Sequence, residues 1–168
     1  VFTDMHSAFT GCKKLTINPK TIDKPNVQSC KYFSHAFREC KNLVDISAPD
    51  DASKAWQLSS AISFTGMFDH CEAFTGQSLK YWRPTTAQSF ASMFSYCTVF
   101  DTDLKDWNVS NGDSFEAMFY RCVSFKGKGL ENWNVARGRH FHAMFAHCVV
   151  LNFKPNLSTW NLSKARSV

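Results

Sequence analysis

Apolar residues recur along the chain in short blocks of a single pattern. Phe115, Met118, Phe119 and Cys122 fall at i, i+3, i+4 and i+7, and mostly polar or small residues fill the gaps. Positions at that spacing share one face of an α-helix, so the pattern predicts a helix of about ten residues. Ser114 or Asp113 is placed to cap its N-terminus. The block is written six times: "MHSAFTGC" (5–12), "FSHAFREC" (33–40), "FTGMFDHC" (64–71), "FASMFSYC" (90–97), "FEAMFYRC" (115–122) and "FHAMFAHC" (141–148). A helix this short is marginal alone and must bury its face on a neighbour. After the fifth block, Phe125 adds one more apolar plug and "KGKG" predicts a turn. "LENWNV" (130–135) alternates Leu130, Trp133 and Val135 with polar residues and predicts a short strand.

The blocks keep phase with one another. Cys12, Cys40, Cys71, Cys97, Cys122 and Cys148 are separated by 28, 31, 26, 25 and 26 residues. Trp56, Trp82, Trp107, Trp133 and Trp160 form a second ladder, each eight residues before the aromatic position of the next block, with Val168 in that position last. Pro25 holds the tryptophan slot of the first unit. Two locked ladders predict an α/β repeat solenoid of leucine-rich-repeat type, a single domain over 1–168. Its six or so units of about 25 residues begin near 3, 31, 62, 88, 113 and 139. Each unit is expected to supply one short helix and one short parallel strand. Segments 17–27 and 45–58 read as insertions in surface loops.

The unit F-x-x-M-F-x-x-C-x-x-F followed by L-x-x-W-N-V-S resembles the repeat of BspA-like leucine-rich-repeat surface proteins. That repeat also occurs in mycoplasma-type surface lipoproteins and in many protist proteins. "FEAMFYRCVSFKGKGLENWNV" (115–135) and "FASMFSYCTVFDTDLKDWNVS" (90–110) are the closest copies, and the likeness is strongest over 64–163. The resemblance implies a protein of the cell surface, used in adhesion or attachment, and it brings no catalytic residues with it.

Composition narrows the chemistry. Sixteen phenylalanines and 44% apolar residues exclude a disordered chain. No run of about 18 apolar residues is present, so no membrane span is expected, and "VFTDMHSAF" lacks the basic-then-apolar order of a signal peptide. The net charge of +5 is mildly basic, compatible with a solvated surface or with anionic glycan or lipid. The six ladder cysteines face the expected core as small buried thiols. Without a CxxC pair they do not form a zinc or thioredoxin-like site. Helices pack about 10 Å apart, too far for disulfides between equivalent positions. Cys30 lies off the ladder, within reach of Cys12 or Cys40 if a loop folds back. His70 and His147 share the slot before the cysteine but stand three units apart, and His140 and His142 point apart on a short helix. No metal, cofactor or catalytic residue is therefore assigned, and an enzyme is not expected. "KYWRPTT" (80–86) mixes basic and aromatic residues, but Trp82 belongs to the ladder, so nucleic acid is not expected as a partner.

Sequons stand at Asn108, Asn156 and Asn161. Asn108 and Asn161 follow a ladder tryptophan, as does Asn134 without a sequon, which also fits an asparagine bonded to turn backbone. Neither end of the chain carries a recognisable polar cap. Val168 has the phase of Met5, so one copy is expected to accept another end to end, unless the chain is a fragment cut at a repeat seam. The functional expectation is a non-enzymatic, extracellular surface or structural protein for attachment or self-assembly, stacking into filaments and carrying N-glycans. The alternative is an adhesin module that binds peptide or glycan on the strand face. Lys80, Tyr81, Lys105, Asp106 and Glu131 lie there, without an aromatic stripe.

Overall fold

The computed structural model describes residues 3–17, 26–149 and 155–168. Among these, regular secondary structure is limited to three 3-10 helices, Ala52–Lys54, Gln77–Tyr81 and Leu130–Asn132. Among the described residues no α-helix forms, and the sheet-like pairings are single-residue bridges. The expectation of an α/β repeat solenoid, leucine-rich-repeat-like with a helix and a strand per unit, is overturned.

The backbone of the second block shows what replaces the helix. The N–H groups of Ala36, Arg38 and Cys40 close i→i+3 turns on the carbonyls of Phe33, His35 and Phe37 at 3.0, 3.1 and 3.0 Å. The alternate N–H groups, of Phe33, His35, Phe37 and Glu39, donate out of the block. They reach the carbonyls of Ser63, Thr65, Met67 and Asp69 at 2.9, 2.8, 2.9 and 2.8 Å. An α-helix would have spent all of them on i−4 carbonyls. His35 and Glu39 stand at φ 58° and 60°, four residues apart, which supplies the left-handed third residue of a type II turn twice per block. The turn period is thus four residues. A face at i, i+3, i+4 and i+7 satisfies a period of four as well as one of 3.6, so the apolar pattern does not separate the two.

Every block repeats this geometry, and the blocks stack as hydrogen-bonded coils. Parallel bridges run from Asp4 through Tyr32, Ser63, Ser89, Ser114 and His140 to Ser167. Ser114, expected as a helix cap, is one of these bridge residues. Coils bonded in this way lie about 4.8 Å apart, not the ~10 Å of packed helices. The "LENWNV" segment is not a strand: Gly129 enters it at φ 88°, Leu130–Asn132 makes a 3-10 turn, and Trp133 follows in an extended conformation.

The core is a set of aromatic columns along the stack. Successive rings of Trp56, Trp82, Trp107, Trp133 and Trp160 are 6.2, 6.1, 6.3 and 6.3 Å apart. Phe37, Phe68, Phe94, Phe119 and Phe145 stack beside them at 5.6 to 5.9 Å. Offset stacked pairs at such distances stabilise beyond their burial, by roughly 0.5–1.5 kcal/mol each. The indole N–H groups of Trp107, Trp133 and Trp160 donate to the carbonyls of Leu79, Leu104 and Leu130 in the preceding coil. Segment 45–58 is more than a surface insertion. Ile46, Trp56 and Leu58 join the core, and buried Asp45 accepts from both the N–H and the hydroxyl of Ser78. Pro25 lies outside the described residues, as does most of segment 17–27.

Candidate functional site

The coil geometry gives the stack a polarity. Each block donates N–H groups toward its C-terminal neighbour and offers carbonyls toward its N-terminal one. At the first coil, the carbonyls of His6, Ala8 and Thr10 occupy the acceptor slots and accept no backbone hydrogen bond from the described residues. At the last full block, Phe141 N–H is taken by the carbonyl of Ser167 at 2.8 Å, while the N–H groups of Ala143 and His147, in donor slots, reach no acceptor among the described residues. Ser167 stands in the bridge position that Asp4 holds in the first coil, so the slot beside Phe141 is already filled. Beside the donor edge is an apolar recess of about 280 Å³ lined by Phe141, Met144, Leu157, Trp160, Leu162 and Val168. Val168 and Leu162 are 81% and 42% exposed, so core-type side chains meet solvent there.

The ladder cysteines bond in the opposite sense, each to the preceding coil. The thiols of Cys40, Cys71, Cys97, Cys122 and Cys148 donate to the carbonyls of Phe9, Phe37, Phe68, Phe94 and Phe119 at 3.1, 2.9, 3.1, 3.0 and 3.0 Å. Burial raises their pKa, to about 11 for Cys40 and Cys148 and further for the inner three, so they remain unreactive thiols. Cys12 is exposed, and all seven cysteines are free. Coil spacing does not keep the ladder unbridged, because ~4.8 Å lies within disulfide range; each inner thiol is instead committed to a carbonyl. Cys30 is buried beside the carbonyl of Tyr32 at 3.5 Å and pairs with neither Cys12 nor Cys40.

The remaining candidates are dispersed. His70 is bonded to Asp69 at 2.8 Å, His147 meets the edge of Tyr120, His140 is a bridge residue and His142 is exposed. No group of three or more metal-ligating side chains forms among the described residues, and no helix is long and apolar enough to cross a membrane. Asn108, Asn156 and Asn161 are exposed. The side-chain oxygen of each accepts the N–H two residues on, at 3.1, 3.2 and 3.0 Å, and Asn134 does the same at 3.1 Å. Lys80, Tyr81, Asp103, Lys105 and Asp106 converge on a shallow groove of about 240 Å³. Glu131 is exposed in the Leu130–Asn132 turn and does not line that groove.

Sequence reasoning missed the buried Asp45. The slot before the cysteine, shared by His70 and His147 and filled by Tyr96 and Arg121 in the units between, was legible as a repeat slot, but the stacking of its side chains was not.

One family model matches the chain, described as "Mycoplasma protein of unknown function, DUF285", over residues 3–130 and 114–168. No curated protein and no solved structure matches.

Proposed function

The chain belongs to the DUF285 family of Mycoplasma proteins of unknown function, and from there we propose that it is a non-catalytic structural protein of a cell surface, acting by attachment and by end-to-end self-association. The observation that carries this reading is the continuous stack of backbone-bonded coils around aromatic columns, a regular repeating scaffold. Coil-on-coil pairing between copies would be heterologous and would not close, so it would propagate into a filament. Non-catalytic action is supported by thiols held protonated and bonded to backbone. The three exposed sequons are the positions where N-glycans would be carried, and a glycosidase-sensitive mass increase at Asn108, Asn156 or Asn161 tests that part.

Sedimentation velocity of the 168-residue chain over a wide concentration range, with electron microscopy of the largest species, tests the assembly. Association that rises with concentration and is lost in Leu162→Lys is expected. A monomer at every concentration overturns it. A second reading, an adhesin module that takes a glycan, is favoured by the groove at Tyr81. There, acidic and basic side chains flank an aromatic ring, and Lys80 Nζ lies 5.1 Å from the ring centre.

A further inference from the structure

Each block contains two left-handed backbone positions with the same conformational demand but different contents. The first holds Ser7, His35, Gly66, Ser92, Ala117 and Ala143; the second holds Gly11, Glu39, His70, Tyr96, Arg121 and His147. Glycine meets this demand at no cost, and a non-glycine residue costs on the order of 1 kcal/mol or more there. The first position is small in five of six coils, as the backbone alone would favour. From the third coil onward, the second carries large aromatic or cationic side chains at half-buried or exposed sites, where neither the turn nor the core calls for them.

These side chains form one continuous ridge. His70 stacks on Tyr96 at 4.0 Å, Tyr96 lies 5.5 Å from Tyr120, and Tyr120 meets His147 edge-on at 5.3 Å. The Arg121 guanidinium lies over both tyrosines, 5.5 and 5.7 Å from their centres. Arg38, Arg83 and Arg139 each rest on a carboxylate, whereas Arg121 pairs with none among the described residues. Seated on ring faces, this guanidinium gives its Nε–H to the Tyr120 hydroxyl at 3.5 Å and keeps its terminal N–H donors for an anion. The one carboxylate bonded into the ridge, Asp69, is already shared by Arg38 and His70.

We propose that this ridge is a binding site for a carboxylate-bearing glycan, with Arg121 taking the uronate carboxylate and the tyrosine hydroxyls and imidazole N–H groups taking sugar hydroxyls. The net charge of +5 favours an anionic partner. Nucleobases need open ring faces for stacking, and here His70, Tyr96 and Arg121 already cover one another. What remains outward are N–H and O–H edges, which suit a ligand rich in hydroxyls and carboxylates. The inference gives the attachment reading a ligand class, but it does not depend on self-association.

Titration calorimetry with a short hyaluronan oligosaccharide tests it, against a chitin oligosaccharide of equal length that lacks the carboxylates. Expected are binding of hyaluronan, at least tenfold weaker binding of chitin, at least a tenfold loss in Arg121→Gln, and no change in Lys13→Gln/Lys14→Gln, which removes two charges elsewhere. Circular dichroism confirms that the variants fold, and sedimentation shows whether their association is unchanged, so failure of the ridge is distinguishable from failure of the edges. The proposal is overturned by absent hyaluronan binding, by equal binding of chitin, by an unaffected Arg121→Gln, or by tighter binding of a single-stranded oligonucleotide.

Discussion

Gly129 stands at φ 88°, and a Cβ built on it would overlap the backbone nitrogen of Lys105 in the preceding coil. Gly11 has a comparable φ of 74° with no atom nearby. The pair separates conformational cost from collision. Gly11→Ala should cost about 1 kcal/mol, the left-handed penalty alone, whereas Gly129→Ala should cost at least ~2 kcal/mol because backbone must also move. Urea denaturation of both variants measures the difference. His35 presents a different problem at the same scale. Its ring covers Gly66, where a Cβ would strike Nδ1, and that buried nitrogen has no hydrogen-bond partner. The groups facing it are His6 at 5.9 Å between ring centres, Arg38 and Asp69. Burial, then Arg38 and His6, hold its pKa below the ordinary histidine value, against Asp69. The unfolded chain therefore binds the proton more readily. The stability from neutral His35 is present above about pH 6.5 and is lost as pH falls from there toward the lower folded value. Thermal unfolding across that window should show the loss, and His35→Asn, which tolerates the left-handed turn, should reduce it.

The repeating element was legible in its spacing but not in its conformation. The cysteine and tryptophan ladders located all six blocks because core contacts recur once per coil whatever the backbone does. The helix expectation failed because apolar positions at i, i+3, i+4 and i+7 fit two linked turns as well as a helix. The feature that distinguishes them, a left-handed residue every fourth position, is occupied by glycine only at Gly11 and Gly66 within the blocks. Serine, alanine, histidine, tyrosine, arginine and glutamate at the other ten gave no turn signal. The strand expectation failed similarly, because Trp133 faces the core from the end of a 3-10 turn, and its alternation with Leu130 and Val135 imitates a strand. The element also contains an internal inequality. Trp107 donates its indole N–H to the carbonyl of Leu79 at 2.8 Å, whereas the buried Trp82 Nε1 has no partner. Both rings sit in the same column, so replacement by phenylalanine leaves similar voids. Trp107→Phe also gives up a hydrogen bond, and Trp82→Phe removes an unsatisfied donor, so Trp107→Phe should be the more destabilising by about 1–2 kcal/mol. Equal losses in parallel denaturation curves would contradict the assignment.

At the scale of the whole molecule, half of each block's N–H groups belong to the next coil, so neighbours rather than the block itself determine protection from solvent. The amides of Ala117 and Arg121 donate to the carbonyls of His142 and Ala146 at 2.9 and 2.9 Å. Ala143 and His147 occupy the same two slots one coil later and reach no acceptor among the described residues. Local sequence and backbone angle are nearly matched within each pair, with φ of 50° and 54° for the alanines and 57° and 62° for the others. Hydrogen exchange should therefore separate them by position in the stack. In dilute solution Ala117 and Arg121 should exchange only through opening of the core, while Ala143 and His147 exchange near the rate of an exposed amide. If copies associate edge to edge, raising the concentration slows Ala143 and His147 together and leaves Ala117 and Arg121 unchanged. Association through a side-chain face such as the Arg121 ridge would leave the two edge amides fast. The same measurement thus identifies which surface joins the copies as well as whether they join.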